Sequence, residues 1–291
     1  MRNEKEMFDL ILGVAKKDER IRAVYMNGSR TNKNVKKDIF QDYDIVYVVR
    51  QTKPFYENKQ WIDVFGERLY MQCPEEMDKN RGLEVDFDKC FGWLMQFADG
   101  NRMDLRLMPV EEADVLGDKL CVILLDKDGI LPPIPEATDE DYRVKQPNQK
   151  EFSACCNEFW WCLNNIAKGL WREEIPYVHQ MYYNGSHAQL IQLLNWKIGY
   201  ETNFQISTGK ASKYIKAYLP DEMWDRFLKT YINGKIEDIW RSVFVMCDLF
   251  QEVALELERK QGLVYNVEEA KASLDFLKHV KTVPKNATSV F

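Results

Sequence analysis

The sequence of 291 residues lacks the positive charge that nucleic-acid binding calls for. Its formal net charge is −6, whereas a basic patch or stripe is the usual footprint of such a protein. It also has no apolar run approaching the roughly 18 residues of a membrane span. Met1-Arg2-Asn3-Glu4-Lys5-Glu6 is charged and leads into an amphipathic segment, which is not the pattern of a signal peptide. The seven cysteines are odd in number and scattered, with neither zinc spacing nor a small-secreted framework. Free thiols in a reducing cytoplasm are the expected state. His179, His187 and His279 show no metal-ligand spacing and read as structural or surface residues. Nucleic acid and membrane are therefore not expected partners. What remains is ordinary globular composition, 45% apolar and 30% charged, in a chain long enough for one large domain or two.

The first half reads as mixed helix and strand. Met7, Leu10, Ile11 and Val14 recur at helical spacing in Glu4–Lys17. An apolar run over 21–26 reads as a strand, and a short helix follows Ser29. Asp42 and Asp44 open a second strand through Ile45-Val46-Tyr47-Val48-Val49. Phe91–Phe97 and 103–108 are apolar-rich runs joined by Ala98-Asp99-Gly100-Asn101-Arg102, and Asp-Gly between two such runs is a hairpin signal. A further strand is expected over 121–125. Leu131-Pro132-Pro133-Ile134-Pro135 is a rigid extended stretch, and the domain boundary is placed near 140. From there the pattern turns helical. Phe152, Cys155, Cys156, Phe159, Trp160, Leu163, Ile166, Ala167 and Leu170 form one wide stripe. The expected fold is α+β: a mixed sheet flanked by helices over 1–140, then a helical bundle over 141–291. The tail over 283–291 is polar and expected to fray.

The chemistry concentrates at Asn27-Gly28-Ser29-Arg30 and, with twelve residues between it and Ser29, Asp42-Tyr43-Asp44. Side chains two apart on a strand share a face, so the spacing sets two carboxylates side by side near a Gly-Ser turn. Hard cations such as Mg²⁺ bind through one or two carboxylates plus substrate phosphates. A turn with exposed backbone N–H groups suits a phosphate. Arg30 adds a fixed positive charge. A third carboxylate would complete a metal cage or take a proton from an acceptor hydroxyl, and Asp104 in Met103-Asp104-Leu105-Arg106-Leu107 is the candidate. If its strand lies beside the Asp42 strand, the three acids converge, and crowding raises the proton affinity of one of them. That is one route to a general base.

These residues resemble the nucleotidyltransferase superfamily, and more closely the aminoglycoside 6-adenylyltransferases that inactivate streptomycin. The resemblance rests on Asn27-Gly28-Ser29-Arg30-Thr31-Asn32, Gln41-Asp42-Tyr43-Asp44-Ile45 and Phe97-Ala98-Asp99-Gly100-Asn101-Arg102-Met103-Asp104-Leu105. In the second half, Cys155-Cys156-Asn157-Glu158-Phe159-Trp160 and Ala167-Lys168-Gly169-Leu170-Trp171-Arg172-Glu173-Glu174 also fit. The resemblance implies a nucleotidyltransferase domain and a helical domain that closes the nucleotide and aminoglycoside cleft. It implies transfer of AMP from Mg-ATP to the 6-hydroxyl of streptomycin, with release of pyrophosphate. Gly28, Ser29 and Arg30 would hold the nucleotide phosphates, Asp42 and Asp44 would hold Mg²⁺, and Asp104 would be metal ligand, base or both. The implied partners are ATP and streptomycin, and the chain is expected to act as a monomer.

Other residues have a plain reading beside the functional one. Lys168 either faces solvent on its helix or reaches an ATP phosphate as a point charge. Glu84, Asp86 and Asp88 alternate and would suit a guanidinium-bearing drug, yet a solvated loop explains them as well. Cys155 and Cys156 read as helix packing. Two other functions stay open: the same transfer onto a different acceptor, and a non-catalytic nucleotide-binding module.

Overall fold

Helix α1 (Glu4–Lys17) begins at a capping box. The Asn3 side chain accepts the Glu6 N–H at 3.0 Å, and the Glu6 carboxylate accepts the Asn3 N–H at 2.8 Å. Two otherwise orphaned donors are thereby satisfied. Met7, Ile11 and Ala15 of its apolar face are fully buried and pack with Val24, Ile45 and Tyr47 of the sheet. These features come from a computed structural model that describes residues 1–291. The chain divides into two units, Met1–Asp141 and Tyr142–Phe291.

The first unit is built on six strands: β1 (Ile21–Asn27), β2 (Tyr43–Val49), β3 (Arg68–Gln72), β4 (Phe91–Phe97), β5 (Arg102–Pro109) and β6 (Cys121–Asp126). Their order across the sheet is β3-β4-β5-β2-β1-β6. β2 and β5 run parallel, and the other neighbours are antiparallel. Two short helices, α2 (Lys53–Tyr56) and α3 (Pro74–Asn80), sit in the connections. The central strands are buried on both faces. Val24, Met26, Ile45 and Tyr47 belong to one cluster, and Ala23, Tyr25, Val46 and Val48 to another. That explains their unbroken apolar runs, because a strand covered on both sides has no polar face to show. The Asp-Gly hairpin joins β4 to β5 as expected. Gly100 takes φ +91°, and Phe97 N–H donates to the Asn101 carbonyl at 2.9 Å. β2 starts at Tyr43, so Asp42 ends the preceding loop instead of opening the strand.

The second unit is helical: α4 (Gln149–Arg172), α5 (Ile175–Met181), α6 (His187–Glu201), α7 (Asp221–Leu228), α8 (Ile236–Gln261) and α9 (Val267–Thr282). α4 opens on a second capping box, Asn148 with Glu151. Its apolar stripe is buried, and Phe159 stacks on Phe250 of α8 with ring centroids 3.7 Å apart. No helix is long and apolar enough to cross a membrane. The tail beyond Val283 is exposed and without helix or strand, yet two contacts reach it. Trp171 Nε1 donates to the Val283 carbonyl at 2.9 Å, and the Phe291 ring stacks on His279 at 4.8 Å. Polar composition hid these anchors, which come from two residues upstream.

Candidate active site

β1 ends at Asn27, and the chain turns sharply at Gly28, which takes φ +82°. A single helical turn, Ser29–Thr31, follows. Thr31 fixes it by donating twice to the Gly28 carbonyl, from N–H at 3.2 Å and from Oγ1 at 2.8 Å. A side chain at Gly28 is excluded both by the positive φ and by crowding, because a Cβ there would lie 2.1 Å from Asp44 Oδ2. Ser29 is half-buried in the same turn.

The sheet places the carboxylates. Asp44 on β2 pairs with Asn27 on one side and with Asp104 of β5 on the other. Two parallel strands in register project Asp44 and Asp104 from matched positions, while Met103, Leu105 and Leu107 point into the core. The condition under which the acids converge, that these two strands lie side by side, is thus met. Burial, together with the nearby charges of Asp104 and Asp42, pushes the Asp44 carboxyl up to about 6. Burial is the larger cause, and the crowding of the acids adds to it.

Arg102 answers that negative charge. Its guanidinium is bidentate on Asp104, with Nε 2.9 Å from Oδ1 and Nη2 2.8 Å from Oδ2. Its Nε also stands 3.5 Å from Asp42 Oδ2. The sequence signal was available, since Arg102 is two residues before Asp104 and shares its strand face.

Arg30 is held differently from Arg102. Its Nη2 donates to the Gln41 carbonyl at 2.7 Å and its Nε to the Asp42 carbonyl at 3.2 Å. The guanidinium lies 3.8 Å over the Tyr43 ring, and Nη1 is 3.3 Å from Glu4. With only 8% of its side chain exposed, it clamps the loop that ends at Asp42. Gln41 also reaches back, donating from Nε2 to the Ser29 carbonyl at 3.4 Å. Asn27 and Gln41 stand in the sequence motifs, but sequence reasoning assigned neither of them a role. The Asn27 Oδ1 and Gln41 Oε1 atoms are buried and have no hydrogen-bond partner.

The donor set, three aspartates and a serine, has the hard-oxygen chemistry that suits Mg²⁺. Asp42 and Asp104 already draw a cationic group to their oxygens. No group of three or more His, Cys, Asp or Glu side chains is gathered as a metal cage. Lys168 lies in the second unit, half-buried on α4. It lines a cavity of about 260 Å³ with Trp171, Arg172, Phe276 and residues of the tail. Cys155 and Cys156 are buried, and burial pushes both thiols up, so they pack and do not react.

The streptomycin adenylyltransferase family model matches residues 1–280. An aminoglycoside 6-adenylyltransferase of Campylobacter jejuni is 40% identical over 277 residues, 94% of each chain. One from Bacillus subtilis (strain 168) is 37% identical, covering 91% of this chain and 93% of its own. A crystal structure of an aminoglycoside 6-adenyltransferase from Bacillus subtilis is 31% identical with a TM-score of 0.49, covering 97% of this chain and 100% of that one. The chain therefore belongs to the streptomycin adenylyltransferase family and is an enzyme of the nucleotidyltransferase kind.

Proposed function

We propose that this enzyme transfers AMP from ATP to the 6-hydroxyl of streptomycin, releasing pyrophosphate and inactivating the drug. The observation that carries this reading is the register pairing of Asp44 with Asp104 beside the Gly28–Ser29 turn, in a chain of this family. The carboxylates at the start of β2 and on β5 serve the metal and the proton, and the turn serves the phosphates. Asp42, Asp44 and Asp104 would hold Mg²⁺. Bound there, Mg²⁺ supplies charge neutralisation for the triphosphate and stabilises the attacking and leaving oxygens.

The protein's own groups do the rest. The N–H groups of the Ser29 turn and the Ser29 hydroxyl donate to phosphate oxygens. Gly28 lets the backbone approach them closely. Arg30 acts on the phosphates through its clamp on the 41–42 loop, which fixes Asp42. Asp104 accepts the proton of the attacking hydroxyl, which then meets the α-phosphorus in line. The enzyme works as a monomer in the cytoplasm, where its seven cysteines remain free thiols.

The test is direct. The protein is mixed with Mg-ATP and a panel of aminoglycosides, and pyrophosphate release and product mass are followed. Streptomycin should gain one AMP, with the new phosphoester at the 6-position by NMR. Release with another acceptor alone would reassign the substrate, and no release with any acceptor would overturn the reading.

A further inference from the structure

Two arginines face the carboxylates at the start of β2, and they are held in opposite ways. Arg30 donates to two backbone carbonyls, stacks on Tyr43 and is almost entirely buried. Moving it would break its bonds to the loop. Every hydrogen bond and ion pair of the Arg102 guanidinium instead ends on a carboxylate, Asp104 or Asp42. Its side chain is 44% exposed and projects from the first residue of β5. Ion pairs exposed to that degree are weak and screened, and they exchange readily with solvent ions.

The oxygens that Arg102 engages are those a divalent cation would use. Asp104 and Asp42 would otherwise crowd Asp44, a half-buried acid with no cation of its own in hydrogen-bond contact. One guanidinium bridging the outer pair relieves that repulsion, and its planar fork matches a carboxylate edge to edge. A guanidinium and a divalent cation drawn to the same oxygens repel each other at close range, so each weakens the other's hold on them. Engagement of Arg102 and binding of a divalent ion are therefore coupled negatively, and the coupling is reciprocal.

We propose that Arg102 is a positioning residue, a built-in counter-ion that holds Asp42 and Asp104 in the metal-free enzyme and hands them over when the divalent metal arrives. The proposal rests on the reading of Asp42, Asp44 and Asp104 as metal ligands. In this account the metal-free site keeps its three acids in place without a preformed cage. The arginine swings outward through solvent, which its position at a strand end and its exposure allow. The cation then meets carboxylates already facing one another across the β2–β5 register. Arg102 also sets a threshold, since the metal has to compete with it.

The experiment uses Mn²⁺ alone, titrated without nucleotide into the full chain and followed by electron paramagnetic resonance of the free ion. Thermal unfolding is recorded with and without Mn²⁺. Arg102→Gln is expected to bind Mn²⁺ more tightly, on the order of tenfold. It should also melt lower than the parent without metal and gain more from adding it. Arg102→Lys, which keeps the charge but not the fork, should fall between the two. Equal or weaker Mn²⁺ binding by a folded Arg102→Gln protein overturns the role of Arg102 alone. Failure of both the parent and Arg102→Gln to bind Mn²⁺ overturns the metal assignment, and the proposal with it.

Discussion

Gly28 and Asp44 share a space in which only a hydrogen atom fits, since a Cβ on Gly28 would stand 2.1 Å from Asp44 Oδ2. The glycine thus does two things. It supplies the positive φ of the turn, and it lets that turn lie against a carboxylate of the site. Gly28→Ala has to push Asp44 aside and adopt a left-handed conformation. The backbone strain is worth about 1–2 kcal/mol, and a displacement near 1 Å at a reacting centre costs about a hundredfold in rate. Urea unfolding and initial rates of pyrophosphate release should show a modest loss of stability with a large loss of kcat. A rate close to the parent's would remove Gly28 and Asp44 from the site.

Arg30 predicts a different balance. Arg30→Ala removes two charge-assisted bonds to backbone carbonyls and the stacking on Tyr43, a loss of about 2–3 kcal/mol. Activity should fall too, because Asp42 sits at the end of the loop that Arg30 clamps. Arg30→Lys should recover the charge but not the fork, leaving stability between the two. Differential scanning calorimetry of the three proteins checks the order. Full stability of Arg30→Ala with weaker ATP binding would instead place the guanidinium on the phosphates.

His187 gives a pH signature in the helical unit. It is buried among Tyr182, Tyr183, Phe227 and Tyr231, with Nε2 3.0 Å from Thr230 Oγ1. Thr230 Oγ1 donates its own proton to the Phe227 carbonyl at 2.6 Å, so His187 Nε2 carries the hydrogen of that contact. Burial lowers the imidazole from 6.5 to about 4. Between those values the unfolded chain binds the proton and the folded one does not. The contribution of His187 is therefore fully present above pH 6.5 and lost as pH falls toward 4. A shift of that size corresponds to roughly 3 kcal/mol. Unfolding free energies measured across this range should fall more steeply for the parent than for His187→Asn. Parallel curves would show that the ring is solvated in the folded state.

Much of this was legible in the sequence because it is local. The Gly28–Ser29 turn, the Asp-Gly hairpin and the helical stripe of α4 each follow from neighbouring residues. The run 45–49 announced a strand. What local pattern could not give was which strand lies beside β2. Asp104 becomes part of the site only because β5 pairs with β2 in parallel and in register, a long-range choice set by the whole sheet. The fate of Arg30 was hidden for a similar reason. A positive residue after Gly-Ser suggests phosphate, but the carbonyls of Gln41 and Asp42 reach it first. The tail's anchors, Trp171 and His279, were hidden because they lie in helices whose packing its polar composition does not reveal.

The carboxylate pair at the β2–β5 junction is the centre of the account. Asp104→Asn should lower kcat by about two to three powers of ten while leaving the fold intact, as expected for a group that handles the metal or the proton in the transition state. Circular dichroism and steady-state rates with streptomycin decide it.

The most direct measurement follows the α-phosphate itself. ATP labelled at the α-phosphorus is incubated with Mg²⁺, streptomycin and either the parent protein or Asp44→Asn, and label in the drug is counted over time. The account predicts rapid labelling by the parent. It predicts labelling slower by about a thousandfold or more with a folded Asp44→Asn. Label entering the drug at comparable rates with both proteins would contradict it.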